Sequence, residues 1–216
     1  MAVMTGIHFY IVCFLAYIIG SIPTGVLLSR AISHRDVRQF GSGNIGTTNM
    51  TRMLGLPVGL LTLVGDAFEG YVAATLPFWL QLPHAPLVSL ITGLIAIVGH
   101  AFSCFLKFKG GKSVATTAEV LLAIDPKLLL LALAIFLVTL AITSTVSLAS
   151  IIGLWGTTIA IAFMTTPLLV GYMAVVSAFV TARHWPNINR LLTHSERTIP
   201  YGLFATWQHW QHRPQP

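Results

Sequence analysis

Charge is what this chain has least of: Asp, Glu, Lys and Arg make up only 8% of its 216 residues. Soluble domains carry roughly 25%. With 55% hydrophobic residues and a mean hydropathy of +0.81, the deficit excludes a soluble globule and marks a polytopic membrane protein. Acids are scarcer than bases, 6 against 12, which leaves a net charge of +6. In a soluble chain that excess would suggest nucleic acid. In a membrane chain it reports topology instead, because cytoplasmic loops retain Lys and Arg, so no nucleic-acid partner is expected. Cysteine is nearly absent. Cys13 and Cys104 sit in or beside apolar runs, without the paired spacing of a metal or disulfide framework. Neither a metal nor a cofactor is expected. The first ten residues hold no Lys or Arg, the positive start of a cleaved signal peptide, so the first apolar run is expected to remain as a span. No repeat of fixed period is visible, which disfavours a transporter built from duplicated halves.

Apolar sequence is what abounds. Runs cover roughly 7–29, 55–80, 85–106, 113–124, 127–143, 147–164 and 166–182, and they predict an all-α bundle of about seven transmembrane helices. The first three reach the roughly 20 residues that a span needs. The fourth is short: twelve residues at about 1.5 Å each cover only ~18 Å, so it has to borrow from Gly110 onward. Asp125-Pro126 and Thr166-Pro167 read as turns, and Thr143-Ser144-Thr145 as the break between the fifth and sixth runs. Placing Arg30 to Arg52 in the cytoplasm brings Lys107–Lys112 and Arg183–Arg197 to the same side. Lys127 is then the only Lys or Arg outside, against eleven inside, which sets the N-terminus out and the C-terminus in. Residues 1–198 read as one membrane domain. Residues 199–216, with Trp207, His209, Trp210, His212 and Arg213, read as a short aromatic, basic cytoplasmic tail, either an interfacial helix or a disordered end.

Three polar stretches interrupt the apolar sequence. The first, Gly41-Ser42-Gly43-Asn44-Ile45-Gly46-Thr47-Thr48-Asn49-Met50-Thr51-Arg52, cannot lie in hydrocarbon with its amides unsatisfied. Its glycines allow backbone N–H groups to approach an anion. Ser42, Thr47 and Thr48 add hydroxyls, Asn44 and Asn49 amides, and Arg52 a cationic fork, a set suited to a phosphate monoester. A plain connecting loop capped by Ser42 or Asn49 fits the composition as well. It is not a Walker A motif, and no strand precedes its loose GxGxxG. The second, Lys107-Phe108-Lys109-Gly110-Gly111-Lys112, opens a helix near Ser113, whose N-terminus favours anions. Positive-inside anchoring explains its lysines but not its paired glycines. In the third, His184, Asn187, Arg190 and Glu196 are the capable groups, and the spacing of His184, Asn187 and Leu191 places them on one helical face. Asp66, Glu69 and Glu119 fall inside apolar runs, where ionisable groups are functional candidates. Ser147, Ser150 and His100 border the loops, as packing residues or as added donors.

Together these segments resemble the bacterial integral-membrane acyl-phosphate:glycerol-3-phosphate acyltransferase family. The glycine loop with Arg52 resembles its first motif. Gly99-His100, Phe105, Phe108-Lys109-Gly110-Gly111-Lys112 and Val114-Ala115-Thr116 resemble its second. Arg183-His184, Asn187-Ile188-Asn189-Arg190-Leu191-Leu192 and Glu196 resemble its third. Gly20-Ser21-Ile22-Pro23-Thr24-Gly25 and Val146-Ser147-Leu148-Ala149-Ser150 match as well, so the resemblance spans Gly20 to Glu196. It implies seven helices with the loops on the cytoplasmic face of the bacterial inner membrane. It also implies acyl transfer from acyl phosphate to the 1-hydroxyl of glycerol 3-phosphate, giving lysophosphatidic acid and inorganic phosphate. Membrane lipids, both substrates and the enzyme that makes acyl phosphate are the expected partners.

Lys112, His184 and Arg52 are the expected catalytic residues, His184 as base or as phosphate ligand. Ser42, Gly43, Asn44, Thr48, Asn49, Gly110, Gly111, Ser150, Asn187 and Arg190 are the expected substrate contacts, with Asp66, His100 and Glu196 in support. The chain departs from the family at Glu69, where lysine is usual, at Glu119 in a usually apolar helix, and at His194 in place of a glycine. A competing class is a carrier or sensor of a phosphorylated metabolite that kept the loops and lost the chemistry, with Asp66, Glu69 and Glu119 as coupling groups.

Overall fold

The computed structural model describes residues 2–200 together with Leu203, with side chains from Gly6 onward. The expected tail from Tyr201 to Pro216 therefore lies outside the described residues, Leu203 excepted. Among the described residues all regular structure is helical. The α-helices are α1 (Ala2–Gly20), α2 (Thr24–Ser33), α3 (Thr47–Leu54), α4 (Leu56–Trp79), α5 (Ala85–Ala101), α6 (Val114–Ile124), α7 (Pro126–Thr143), α8 (Val146–Ile161), α9 (Pro167–Arg183) and α10 (Trp185–Leu192). Each expected apolar run coincides with helix. The first is broken at Pro23, which has no N–H to donate to Ile19 and whose ring crowds that carbonyl; α1 ends at Gly20 and α2 restarts at Thr24.

Four segments are long and apolar enough to cross a bilayer: 6–33, 56–79, 85–106 and 126–143. The bent pair α9–α10 makes a fifth if it counts as one span, while α6 and α8 are shorter apolar helices. At about 1.5 Å per residue α6 is only ~17 Å long, as the sequence anticipated. The chain divides into two compact units, Met1–Pro126 and Lys127–Pro216.

In the first unit α4 is the central helix, flanked by α1, α3, α5 and α6. It buries Thr62, Asp66, Glu69, Gly70, Ala73 and Ala74, and it exposes Leu60, Val64 and Phe68 at 49%, 65% and 68%. Small and polar residues inside with large apolar ones outside is the pattern of a helix whose outer solvent is lipid. Gly70 lets α6 approach so closely that a Cβ there would overlap the Thr116 carbonyl oxygen. In the second unit α8 and α9 pack through buried hydroxyls: Thr158 and Ser177 lie 3.0 Å apart, and Trp155 Nε1 donates to Thr181 Oγ1 at 3.0 Å. The outward leucines of α7, Leu130, Leu133 and Leu137, are exposed, again as lipid-facing positions are.

Candidate functional site

The glycine loop is organised around one side chain. Asn49, 2% exposed, donates from Nδ2 to the carbonyls of Val37, Phe40 and Asn44 at 3.3, 3.0 and 2.9 Å. Its Oδ1 accepts the Ser42 N–H at 3.0 Å. An amide with two donors and one acceptor can thus hold four backbone groups of an irregular segment that regular hydrogen bonding cannot reach. Gly41 and Gly43 take positive φ of 59° and 71°, the conformation that glycine adopts without steric penalty. Asn44 Oδ1 accepts the Ile45 N–H at 3.0 Å, and Ser42 Oγ accepts the Asn44 N–H at 3.4 Å.

Upstream, Asp36 caps a 3₁₀ turn at Val37–Gln39 and pairs with Arg38 and Arg30 at 2.6 and 2.8 Å. The Arg38 hydrogen bonds, with Arg30 adding to them, hold its carboxyl far below the usual carboxylate range against a smaller burial effect. Downstream, Thr47 and Thr48 form the first turn of α3, whose leading amides lack intrahelical acceptors. Arg52 stands exposed in the last turn. A pocket of ≈490 Å³ opens beside it, lined in part by Ser33, Arg35, Phe40, Gly41, Asn49 and Arg52. That volume is within the roughly 300–1,000 Å³ of small-ligand sites.

The lysine loop folds back on the end of α5. Gly110 and Gly111 donate their N–H groups to the carbonyls of Ala101 and His100 at 3.1 and 3.0 Å. A Cβ on Gly110 would overlap the His100 carbonyl oxygen, and one on Gly111 would overlap His100 Nε2. The paired glycines thus serve the close approach of loop to helix, and Lys112 follows directly from that anchored turn. Ser113 precedes α6 at φ 61° and donates from Oγ to the Ile97 carbonyl at 2.7 Å. The two loops meet through apolar side chains. Ile45 of the first and Leu106 of the second are buried in one cluster with Val26, Val37 and Met50, and Ile45 Cγ1 lies 3.4 Å from the Cβ position of Gly111.

In the second unit Glu196 organises the third stretch. Its Oε1 accepts from Ser147 Oγ at 2.9 Å and Asn187 Nδ2 at 2.6 Å, and its Oε2 accepts from Arg190 Nε at 2.6 Å. Burial pushes this carboxyl up, but the hydrogen bonds from Asn187, Arg190 and Ser147 and the Arg190 charge outweigh it and leave the group below its usual range. His184 and Asn187 are both buried, but the single helical face expected for them does not form. Pro186 has no N–H for the Ala182 carbonyl, so α9 ends at Arg183 and α10 leaves at 64°. His184 is the residue at the bend. Its Nδ1 faces the Val180 carbonyl at 2.8 Å, so Nδ1 carries the proton and Nε2 is the acceptor of the neutral ring. Ser150 is buried and donates to the Val146 carbonyl at 2.9 Å.

Two features were not legible in the sequence. One is the role of Asn49 as a loop organiser, since its partners are backbone groups. The other is that Asp66, Glu69 and His100 form a buried cluster of potential metal ligands, with one donor atom of each within 4.8 Å of the others. The i, i+3 spacing of the acids was visible; the approach of α5 to α4 was not.

Known proteins give the arrangement a context. A family model described as glycerol-3-phosphate acyltransferase matches residues 10–194. A protein of that name from Latilactobacillus sakei is 45% identical over 195 residues, covering 90% of this chain and 94% of the relative. One from Listeria monocytogenes is 43% identical over 195 residues, covering 90% and 98%. Among solved structures, PlsY (YgiH), described as an integral membrane glycerol 3-phosphate acyltransferase, matches in its glycerol 3-phosphate form with a TM-score of 0.83 and 32% identity, covering 89% of this chain and 96% of that one. Its lysophosphatidic acid form matches with a TM-score of 0.80 and 31% identity, covering 89% and 95%.

Proposed function

This chain belongs to the glycerol-3-phosphate acyltransferase family of integral membrane enzymes, which acylate glycerol 3-phosphate, and from that premise we propose that its donor is an acyl phosphate and its acceptor oxygen the 1-hydroxyl. Lysophosphatidic acid and inorganic phosphate are the products. The observation that carries this reading is the seam formed by Ile45, Leu106 and Gly111, which packs the glycine loop against the lysine loop. Each substrate carries one phosphate, and two loops suited to phosphate stand together in one unit.

Arg52 and the Thr47 and Thr48 amides that open α3 suit the acceptor's phosphate, with Ser42, Gly43, Asn44 and the Thr48 hydroxyl beside them. Lys112, held at the mouth of α6, suits the donor's phosphate. Asn49, Gly110 and Gly111 also brace these groups, the Asn49 amide and the two glycine N–H groups being bonded to backbone carbonyls. Within the second unit, Glu196, itself held by Arg190, fixes the Asn187 amide, and His184, Asn187 and Ser150 are proposed as substrate contacts on the family resemblance alone.

The acyl phosphate is a mixed anhydride and needs no covalent enzyme nucleophile. The glycerol hydroxyl oxygen attacks the carbonyl carbon, and the bond from that carbon to the phosphate oxygen breaks. The leaving phosphate takes the bonding pair and collects the hydroxyl proton. Lysine and arginine charge stabilises the oxyanion that develops on the way. A second reading of the proton step assigns it to His184, whose imidazole is oriented by the bond from Nδ1 to the Val180 carbonyl at 2.8 Å. On this reading the site faces the cytoplasm from the bacterial inner membrane and is coupled in function to the enzyme that makes acyl phosphate.

The test is turnover of purified protein carrying Arg52→Ala, Lys112→Ala or His184→Ala. Each is expected to lose activity, with Arg52→Ala raising KM for glycerol 3-phosphate. A general base at His184 would give a loss of roughly 10²–10⁴ and remove the acid limb of the rate–pH profile; a positioning role would leave that limb in place. Near-native turnover in all three variants overturns the assignment.

A further inference from the structure

Acyl transfer between the two loops leaves three buried ionisable side chains without a task. Asp66 and Glu69 lie about one turn apart on α4, and His100 lies in the last turn of α5. They are 2%, 2% and 4% exposed. Among the described residues, Asp66 Oδ1, Glu69 Oε2 and His100 Nδ1 each lack a hydrogen-bond partner. Glu69 Oε2 is 3.7 Å from His100 Nδ1, and one donor atom from each of the three residues lies within 4.8 Å of the others. The second oxygen of Glu69 is fixed by Thr24 Oγ1 at 2.6 Å, which aims Oε2 at the imidazole.

A proton shared by any two of these atoms satisfies that pair and leaves the third buried and unpaired, a cost that is greatest for a charged group. A divalent cation satisfies all three and neutralises both carboxylates. Oxygen and nitrogen donors sit about 2.0–2.2 Å from zinc, hence roughly 3.3–3.6 Å from each other in a tetrahedron. The 3.7 Å pair is almost at that spacing. Two carboxylates and an imidazole are a donor set for zinc or manganese rather than for a thiolate-seeking metal.

We propose that Asp66, Glu69 and His100 form a structural site for a divalent cation of the zinc or manganese class, which ties α4 to α5. The site acts on the lysine loop through His100: its carbonyl takes the Gly111 N–H at 3.0 Å, and its ring lies against the Gly111 α-carbon. A cation on Nδ1 fixes the ring that the loop rests on. The inference is independent of the donor and of the proton step.

The experiment uses the full chain purified in detergent with any affinity tag removed. Metal content is read by mass spectrometry as purified, after chelator treatment, and after loading with Zn²⁺ or Mn²⁺ alone followed by dialysis. About one equivalent per chain is expected to persist. The chelator should lower the thermal midpoint, and the metal should restore it. Asp66→Asn and Glu69→Gln should each abolish retention. Absence of retained metal in the unaltered protein after loading, with no shift in midpoint, overturns the proposal in favour of shared protons. Full retention by folded Asp66→Asn and Glu69→Gln variants overturns it too, by placing the metal elsewhere. If neither variant folds, the unaltered protein still decides, because chelation and reloading need no substitution.

Discussion

Replacing Asn49 with aspartate changes almost nothing in shape and removes both donors that hold the glycine loop. Three carbonyls, those of Val37, Phe40 and Asn44, lose the Nδ2 hydrogens at 3.3, 3.0 and 2.9 Å, while Ser42 N–H keeps its acceptor. Two N–H groups amount to about two hydrogen bonds, worth roughly 1–3 kcal/mol net in total. The carboxylate oxygen that replaces Nδ2 faces those carbonyls at 2% exposure with no donor, which costs at least about 1–3 kcal/mol more because the group is charged. The sum, roughly 2–6 kcal/mol, is a large part of the 5–15 kcal/mol that holds an ordinary domain together. It falls on a loop that can open locally while the helices stay intact.

Asn49→Asp should therefore keep its far-ultraviolet circular dichroism and lose loop order. KM for glycerol 3-phosphate should rise at least roughly tenfold, since ~1.4 kcal/mol of loop opening charged to binding is a factor of ten. Asn49→Ala should behave similarly, and Asn49→Gln should recover little, because a longer side chain cannot reach the same four groups. The assay is steady-state release of phosphate from acyl phosphate at varied glycerol 3-phosphate. A folded Asn49→Asp variant with native KM would show that the loop's binding geometry does not depend on the amide.

Further outcomes follow from the same contacts. Gly110→Ala should cost more than Gly111→Ala, about 1–3 kcal/mol of overpacking: the first Cβ meets the fixed backbone oxygen of His100, the second only its ring. Thermal midpoints of the two variants check the order. Glu196→Ala should destabilise the second unit more than Glu196→Gln, which keeps an acceptor for Ser147 and Asn187. Because Glu196 titrates below its usual value when folded, its contribution is fully present above the ordinary glutamate pKa of about 4.3 and fades as pH falls through the lower folded value. The gap in midpoint between native protein and Glu196→Gln should accordingly close at acid pH, and a gap that widens there contradicts the assignment. Arg52→Lys should retain charge but lose the bidentate fork, raising KM for glycerol 3-phosphate less than Arg52→Ala does.

The apolar runs were long enough to declare themselves, and every one of them is helix. Breaks were harder to read. Pro23 lies inside an otherwise continuous run, and Pro186 follows His184 closely enough that periodicity carried the helix through the bend. The polar loops were legible as loops because hydrocarbon cannot hold them. What their residues do was less so. Asn49 reads like a ligand, and its amide also braces the loop; Gly110 and Gly111 read like an anion cradle, and they also bring the loop onto α5. In both cases the partners are backbone atoms brought near by tertiary packing, which residue spacing does not encode. The cluster of Asp66, Glu69 and His100 was hidden for the same reason, since it forms only where α5 crosses α4.

Use of acyl phosphate as donor, with release of its phosphate as lysophosphatidic acid forms, is what most sharply defines the proposed activity. Purified protein supplied with glycerol 3-phosphate and, in turn, acyl phosphate, acyl-coenzyme A or acyl carrier protein of one chain length tests it directly. Lysophosphatidic acid and inorganic phosphate are expected in equal amounts from acyl phosphate, both dependent on glycerol 3-phosphate, with no product from either thioester. Turnover from a thioester, or uptake of labelled glycerol 3-phosphate into vesicles with no phosphate released, would contradict it.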